Sequence, residues 1–457
     1  MAIDGFSTTT ETAAALRRKD ISSRELLDLY LRRIDEHNPR LNAVITLDVE
    51  RARAEAAHAD DLAARGEWLG PLHGLPMTVK DSFETAGIRT ACGDPSLAGH
   101  VPATDAIAVA RLRAAGAVIF GKTNTPMQTL DHQTFNAVFG TTNNPWDLSR
   151  VPGGSSGGSA AAMAAGLGPL ELGSDIGGSI RVPAHCCGVF GHKPSWGIVP
   201  ERGHIPGAPG SLHRRDVNVN GPIARSAADL ELALDIIAGP DELEAVGWRL
   251  ELPPPRARDL RGFRVAAWLD DPFCPSEKTM ITLFESAVAH LTAAGAQVDT
   301  GARPPFTLEE AFAVYSPLLG GALSPYTRDT TSHGAWIARD EARQRMRRQW
   351  AAFFQRFDVL LAPSMFTTAF AHAQEGASGA RTLPVDGIDR PYRQLLTWPA
   401  LTGAVLLPST TMPVGLTSHG LPAGWQIIGP YLEDRTTLAF ATAASEVLGG
   451  YRRPPGY

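Results

Sequence analysis

Cysteine is scarce: Cys92, Cys186, Cys187 and Cys274 are the whole supply in 457 residues. Their spacing offers neither a disulfide framework nor a Cys-x-x-Cys zinc pair. Cys186 and Cys187 do lie between His185 and His192. Adjacent residues ligate one ion poorly, however, and the segment AHCCGVFGH is mostly apolar, so buried thiols are expected and a metal is not. A basic tract is also missing. The 42 Lys and Arg are outnumbered by 48 Asp and Glu, for a net charge of −6, so nucleic acid is not an expected partner. No apolar run approaches the roughly 20 residues of a membrane span. The stretch MAIDGFSTTTETAAALRRKD has no basic segment leading into an apolar one, so no secretory signal is expected. These absences point to a cytoplasmic protein away from membranes.

The chain is 44% hydrophobic, enough for one large domain or two to three ordinary ones. Ser22 and Glu25 form a capping box ahead of Leu26, Leu27, Tyr30, Leu31 and Ile34 at helical spacing. A second helix is predicted from about Val49 to Ala64, before Gly66. Leu75 to Val79 is a short apolar segment ending at Lys80-Asp81, Asp105 to Ala115 reads as helix, and Ala117 to Phe120 reads as strand. Further strands are expected at Val189–Gly191, Phe263–Leu269, Phe357–Pro363 and Trp425–Gly429, with an amphipathic helix at Ser276–Ala294. Helix and strand in alternation argue for an α/β fold. The best break is ELPPPRARDLRGF, residues 250–262, because three successive prolines suit neither helix interior nor central strand.

The stretch VPGGSSGGSAAAMAAG, residues 151–166, poses the functional question. A flexible linker would be flanked by polar sequence, but this one runs into a strong helix former. A phosphate cradle would end in Gly-Lys-Ser/Thr, and no lysine is adjacent. Nucleophilic catalysis is the third reading. A second loop, Gly173-Ser174-Asp175-Ile176-Gly177-Gly178-Ser179, follows a short helix and can face the first. Glycines let N–H groups approach a reacting carbonyl. None of the 13 histidines sits in either loop, and the Gly-x-Ser-x-Gly elbow is missing. A buried lysine is the other candidate base. Lys80 suits that role, although spacing alone fits an exposed turn equally well.

These segments resemble the amidase signature family of serine hydrolases. The blocks 153–159 and 173–184 match its two glycine-serine motifs, with Ser155 and Ser179 separated by 24 positions. His73–Pro76 with Val79–Asp81, Gly121–Asn124, Gly191–Pro194, Phe357–Pro363, Met412–Gly415 and Gly424–Gly429 match further family segments. The resemblance spans nearly the whole chain and is weakest between about 250 and 350. It implies an α/β amidase-signature fold: a mixed, twisted central sheet with helices on both sides. Residues 1–457 would form one domain, with N-terminal helices at about 8–66, a signature core at about 70–240 and a variable part at about 260–457.

It also implies a triad, with Ser179 as nucleophile, Ser155 as bridging serine after a cis peptide from Gly154, and Lys80 as base. The N–H groups of Ile176, Gly177, Gly178 and Ser179 would form the oxyanion hole. Thr129, Gln128 and Ser155 would contact substrate, and Asp175 and Arg181 would brace the loops. No cofactor or metal is implied. Pro126 is followed by Met127-Gln128 rather than the acidic residue frequent in the family, which leaves the substrate open. Pocket walls are expected from 127–135, 200–220 and 305–345.

The favoured expectation is a free-standing hydrolase of a small amide or carbamate, with esterase or urethanase activity within the family's range. Ser195–Pro200 resembles free-standing members. The alternatives are the A subunit of a glutamine-dependent tRNA amidotransferase and a catalytically silent binding scaffold. A homodimer is compatible with the resemblance, although no dimer surface is legible.

Overall fold

The capping boxes that open the N-terminal helices are formed as their residues demand. In the computed structural model, which describes residues 3–206, 208–324 and 330–457, Ser22 caps the helix Ser23–Leu41 and Glu25 reaches back to it. Thr8 and Glu11 do the same for Thr9–Arg18. Ser23–Leu41 buries Leu26, Leu27, Tyr30, Leu31 and Ile34 on one face. The helix Val49–Ala64 follows, buried only at Ala52, Ala56, Ala59 and Leu62.

Two sheets organise the rest. A three-stranded sheet has Val118–Thr123 between Val44–Leu47 and Pro76–Lys80, antiparallel to the first and parallel to the second. The larger sheet has eight strands. Their order is Gln297–Asp299, Arg264–Ala267, Val359–Pro363, Pro422–Ile428, Ser409–Leu416, Phe190–Lys193, Val219–Ala224 and Glu171–Asp175. The first three are mutually parallel and the remaining pairings antiparallel. This is the mixed α/β sheet expected of the fold. Strands from both sides of the proline break share it. The break itself is pinned by Arg256, which donates to Glu433 at 2.6 Å and to the Phe354 carbonyl at 2.6 Å.

The strand Glu171–Asp175 departs from the sequence expectation of a loop beginning at Gly173. It is buried at every position, so it carries no alternation of polar and apolar residues to mark it. Gly173 packs closely there: a Cβ would crowd Ser156 Oγ at 3.0 Å and Ile223 Cδ1 at 3.1 Å. The four cysteines are free and buried thiols. Both ring nitrogens of His185 and of His192 are held in hydrogen bonds. Among the described residues no group of three or more His, Cys, Asp or Glu could hold a metal, and no helix is long and apolar enough to cross a membrane.

Candidate active site

The strand Pro76–Lys80 is buried throughout. Side chains two apart on a strand share a face. Thr78 and Lys80 therefore both meet the neighbouring strand: Thr78 donates to the Glu171 carboxylate, and Lys80 Nζ donates to Ser174 Oγ at 3.0 Å. The same ammonium donates to Ser155 Oγ at 2.7 Å. Lys80 has no exposed surface. Burial disfavours the charged form and pulls its pKa down from 10.5 to about 7, against the weaker pull of Asp175 and Glu171. The exposed-turn reading of Lys80 is thereby excluded.

Ser155 follows a cis peptide from Gly154. Close approach demands glycine at 154, since a Cβ would meet Asp131 O at 2.6 Å and His132 C at 2.7 Å. The serine loop then enters the buried helix Gly157–Ala164. The second loop is tied to it by Ser156 N–H donating to the Ser179 carbonyl at 3.1 Å. Among the described residues the Ser179 hydroxyl makes no hydrogen bond, with Ser155 or any other group. Catalytic contacts of this kind often tighten only when substrate is bound. Ser179 is 5% exposed and lines a cavity of about 180 Å³.

The N–H groups of Ile176, Gly177 and Ser179 are without a hydrogen-bond partner among the described residues, and all three residues line this cavity. Gly178 is different from expectation. Its N–H donates to Asp175 Oδ1 at 2.8 Å, and the residue lies outside the cavity lining. Its φ of +104° is a left-handed value that glycine adopts freely. Three open donors remain, not four.

Asp175 and Arg181 act as the brace the sequence suggested. Arg181 donates to both carboxylate oxygens, from Nη2 at 2.9 Å and Nε at 3.0 Å, with neither side chain exposed. Burial alone would raise the Asp175 carboxyl, but the adjacent guanidinium holds it well below the usual carboxylate range. Arg181 Nη1 reaches Thr402 at 2.7 Å and Gln426 at 2.9 Å, anchoring the loop to the large sheet.

The cavity wall is mainly apolar, with Leu130, Ile176, Leu319, Leu323 and Leu396. Of the three expected substrate contacts, Thr129 lines it, but Gln128 and Ser155 do not. The Gln128 side chain is held by Asp94, its amide donating to Asp94 Oδ2 at 2.6 Å. Segment 127–135 contributes wall residues, and the 305–345 segment contributes Leu319 and Leu323. None of the described residues of 200–220 lines the cavity. Residue 207 and residues 325–329 of those expected walls lie outside the described residues. A wall that sequence reasoning missed comes from Ser378, Gly379, Tyr392, Arg393 and Leu396. Arg381 donates to Asp131 Oδ2 at 2.7 Å and Tyr392 donates to Asp131 Oδ1, fastening that wall to the 127–135 loop. Nothing in the local sequence announces this pairing across 250 positions. Sequence reasoning also missed Ser174, although its place inside the second glycine-serine block could have marked it.

The Amidase family profile matches residues 25–322 and 318–438. The chain belongs to the amidase signature family of C–N hydrolases. The A subunit of a glutamyl-tRNA(Gln) amidotransferase from Synechococcus is 34% identical, over 93% of each chain. A solved structure from a vestigial protein complex linked to the origins of an s-triazine catabolic enzyme is 30% identical. It covers 98% of this chain and all of that one, with a TM-score of 0.84. A bacterial aryl acylamidase of the amidase signature family is 27% identical, with 97% and 96% coverage and a TM-score of 0.83. The curated sequence relatives therefore favour the amidotransferase alternative over the free-standing expectation, and the structural neighbours include both an aryl acylamidase and an amidotransferase A subunit.

Proposed function

We propose that the protein cleaves the C–N bond of a small amide or carbamate through an acyl-enzyme on Ser179. The observation that carries this reading is the buried Lys80–Ser155 contact of 2.7 Å beside a serine whose neighbouring N–H groups are open. Neutral Lys80 takes the Ser155 proton as Ser155 takes that of Ser179. Ser179 Oγ bonds to the carbonyl carbon, and the resulting oxyanion accepts hydrogen bonds from Ile176, Gly177 and Ser179 N–H. The C–N bond then breaks, and the proton held by Lys80 returns through Ser155 to the leaving nitrogen. Water, deprotonated by the same relay, attacks the acyl carbon and releases the acid and free Ser179.

The cavity supports a substrate carrying one ring-sized apolar group. Its volume of about 180 Å³ exceeds the ~150 Å³ of an apolar protein cavity that takes up benzene. Among the described lining residues the one carboxylate, Asp131, is already engaged by Arg381 and Tyr392, which leaves it a poor partner for the ammonium of glutamine. The second reading is the A subunit of a glutamine-dependent amidotransferase, favoured by the 34% identity to such a protein from Synechococcus.

The test is adduct mass after treatment with a small fluorophosphonate, with Ser179→Ala as control, followed by turnover of benzamide, acetanilide, an N-aryl carbamate and glutamine. One adduct absent from the variant, with turnover of a ring-bearing compound, supports the first reading. Glutaminase activity with a copurifying partner replaces it by the second. A folded protein without an adduct removes the nucleophile assignment.

A further inference from the structure

Two side chains outside the glycine-serine motifs hold the backbone of the second loop. Tyr315, on the helix Leu308–Leu323, is fully buried, and its hydroxyl donates to the Ile176 carbonyl at 2.7 Å. His132 Nε2 donates to the Gly177 carbonyl at 2.9 Å. A carbonyl can only accept, so the proton must sit on Nε2. Each carbonyl belongs to the peptide unit that carries the next residue's N–H, and in a trans peptide the two point in opposite directions. Tyr315 pulling on Ile176 C=O therefore aims Gly177 N–H away from it. The following peptide is gripped at both ends, by His132 at Gly177 C=O and by Asp175 at Gly178 N–H.

We propose that Tyr315 and His132 are positioning residues for the oxyanion hole: Tyr315 sets the direction of the Gly177 N–H, and His132 fixes the peptide on the other side of the Gly177 Cα, before substrate arrives. The proposal rests on the Ser179 acyl-enzyme reading. Donors aimed in advance stabilise developing charge without reorganisation at the moment of reaction, and a whole oxyanion donor is worth ~10²–10³ in rate. A misaimed donor retains part of that. The helix bearing Tyr315 also carries Leu319 and Leu323 of the cavity wall, so the same element contacts substrate and steers the loop.

The experiment follows the rate of Ser179 phosphonylation by a small fluorophosphonate across pH, because the phosphoryl oxygen occupies the oxyanion position and no substrate need be known. Tyr315→Phe removes one hydroxyl. His132→Phe removes the donor, and His132→Gln supplies an amide N–H in its place. Folding is checked by circular dichroism and thermal melting. The plateau rate is expected to fall on the order of tenfold in Tyr315→Phe and His132→Phe, to recover in His132→Gln, and to keep the wild-type inflection set by Lys80. Folded variants within twofold of wild type overturn the proposal, as does a moved inflection, which would mean general damage to the site. A Gln variant as slow as the Phe variant overturns the His132 half. Wild-type protein that takes no adduct is a different failure: it removes the Ser179 reading, and this proposal with it.

Discussion

The pH dependence of acylation follows from the burial of one amine. Lys80 is wholly buried and its pKa falls from 10.5 to about 7. The neutral, proton-accepting fraction is then roughly one tenth at pH 6, half at pH 7 and nine tenths at pH 8. Phosphonylation of Ser179 should therefore rise about tenfold from pH 6 to pH 8 and flatten above it. An ordinary lysine would be only ~0.4% neutral at pH 8 and would still gain about tenfold per unit there. Stopped-time labelling read by intact mass distinguishes the two curves. A rate that climbs log-linearly past pH 9, or that ignores pH, refutes the argument. Lys80→Met supplies the second arm. It should abolish labelling while leaving stability at pH 7 equal or higher, because a buried amine is removed. The sign is set by linkage. The folded pKa lies below the unfolded one, so between about pH 7 and about pH 10.5 the unfolded chain binds more protons and wild-type stability rises with pH. Chemical denaturation at pH 7 and pH 9 should show a smaller rise in Lys80→Met. An unfolded or fully labelled Lys80→Met protein would contradict the assignment.

Three other outcomes are expected. Ser174→Ala frees Lys80 Nζ from its 3.0 Å partner and should slow labelling about tenfold through looser aim of the amine, which the same mass assay reads; an unchanged rate would make Ser174 irrelevant to the relay. Asp175→Asn leaves the buried Arg181 without its counter-charge and should cost about 3–5 kcal/mol in urea unfolding, whereas a loss below about 1 kcal/mol would show the pair to be dispensable. Leu323→Trp fills the cavity and should raise KM for ring-bearing amides about tenfold while labelling by a small fluorophosphonate stays within twofold; equal losses in both would mean that Leu323 does not bound the substrate.

Much of this was legible because it is local. Capping boxes, helical spacing and apolar runs are properties of a few consecutive residues, which is why Ser22–Glu25 and Val49–Ala64 are found in the structure where the sequence put them. The paired glycine-serine blocks, with the lysine segment and the further matching segments along the chain, carry the family resemblance, and close backbone approach at Gly154 tolerates no side chain. Spacing could not decide whether Lys80 was buried or exposed, since that depends on the strand Glu171–Asp175 packing over it. Nor could it assign Gly178 N–H to Asp175, turn Gln128 toward Asp94, or join Arg381 to Asp131 across the chain. Residue types and their short-range pattern thus determined the family and the candidate triad. The tertiary structure alone decided which donors stay open, which walls enclose the cavity and how far burial shifts the lysine, because desolvation and hydrogen-bond competition are set by neighbours distant in sequence.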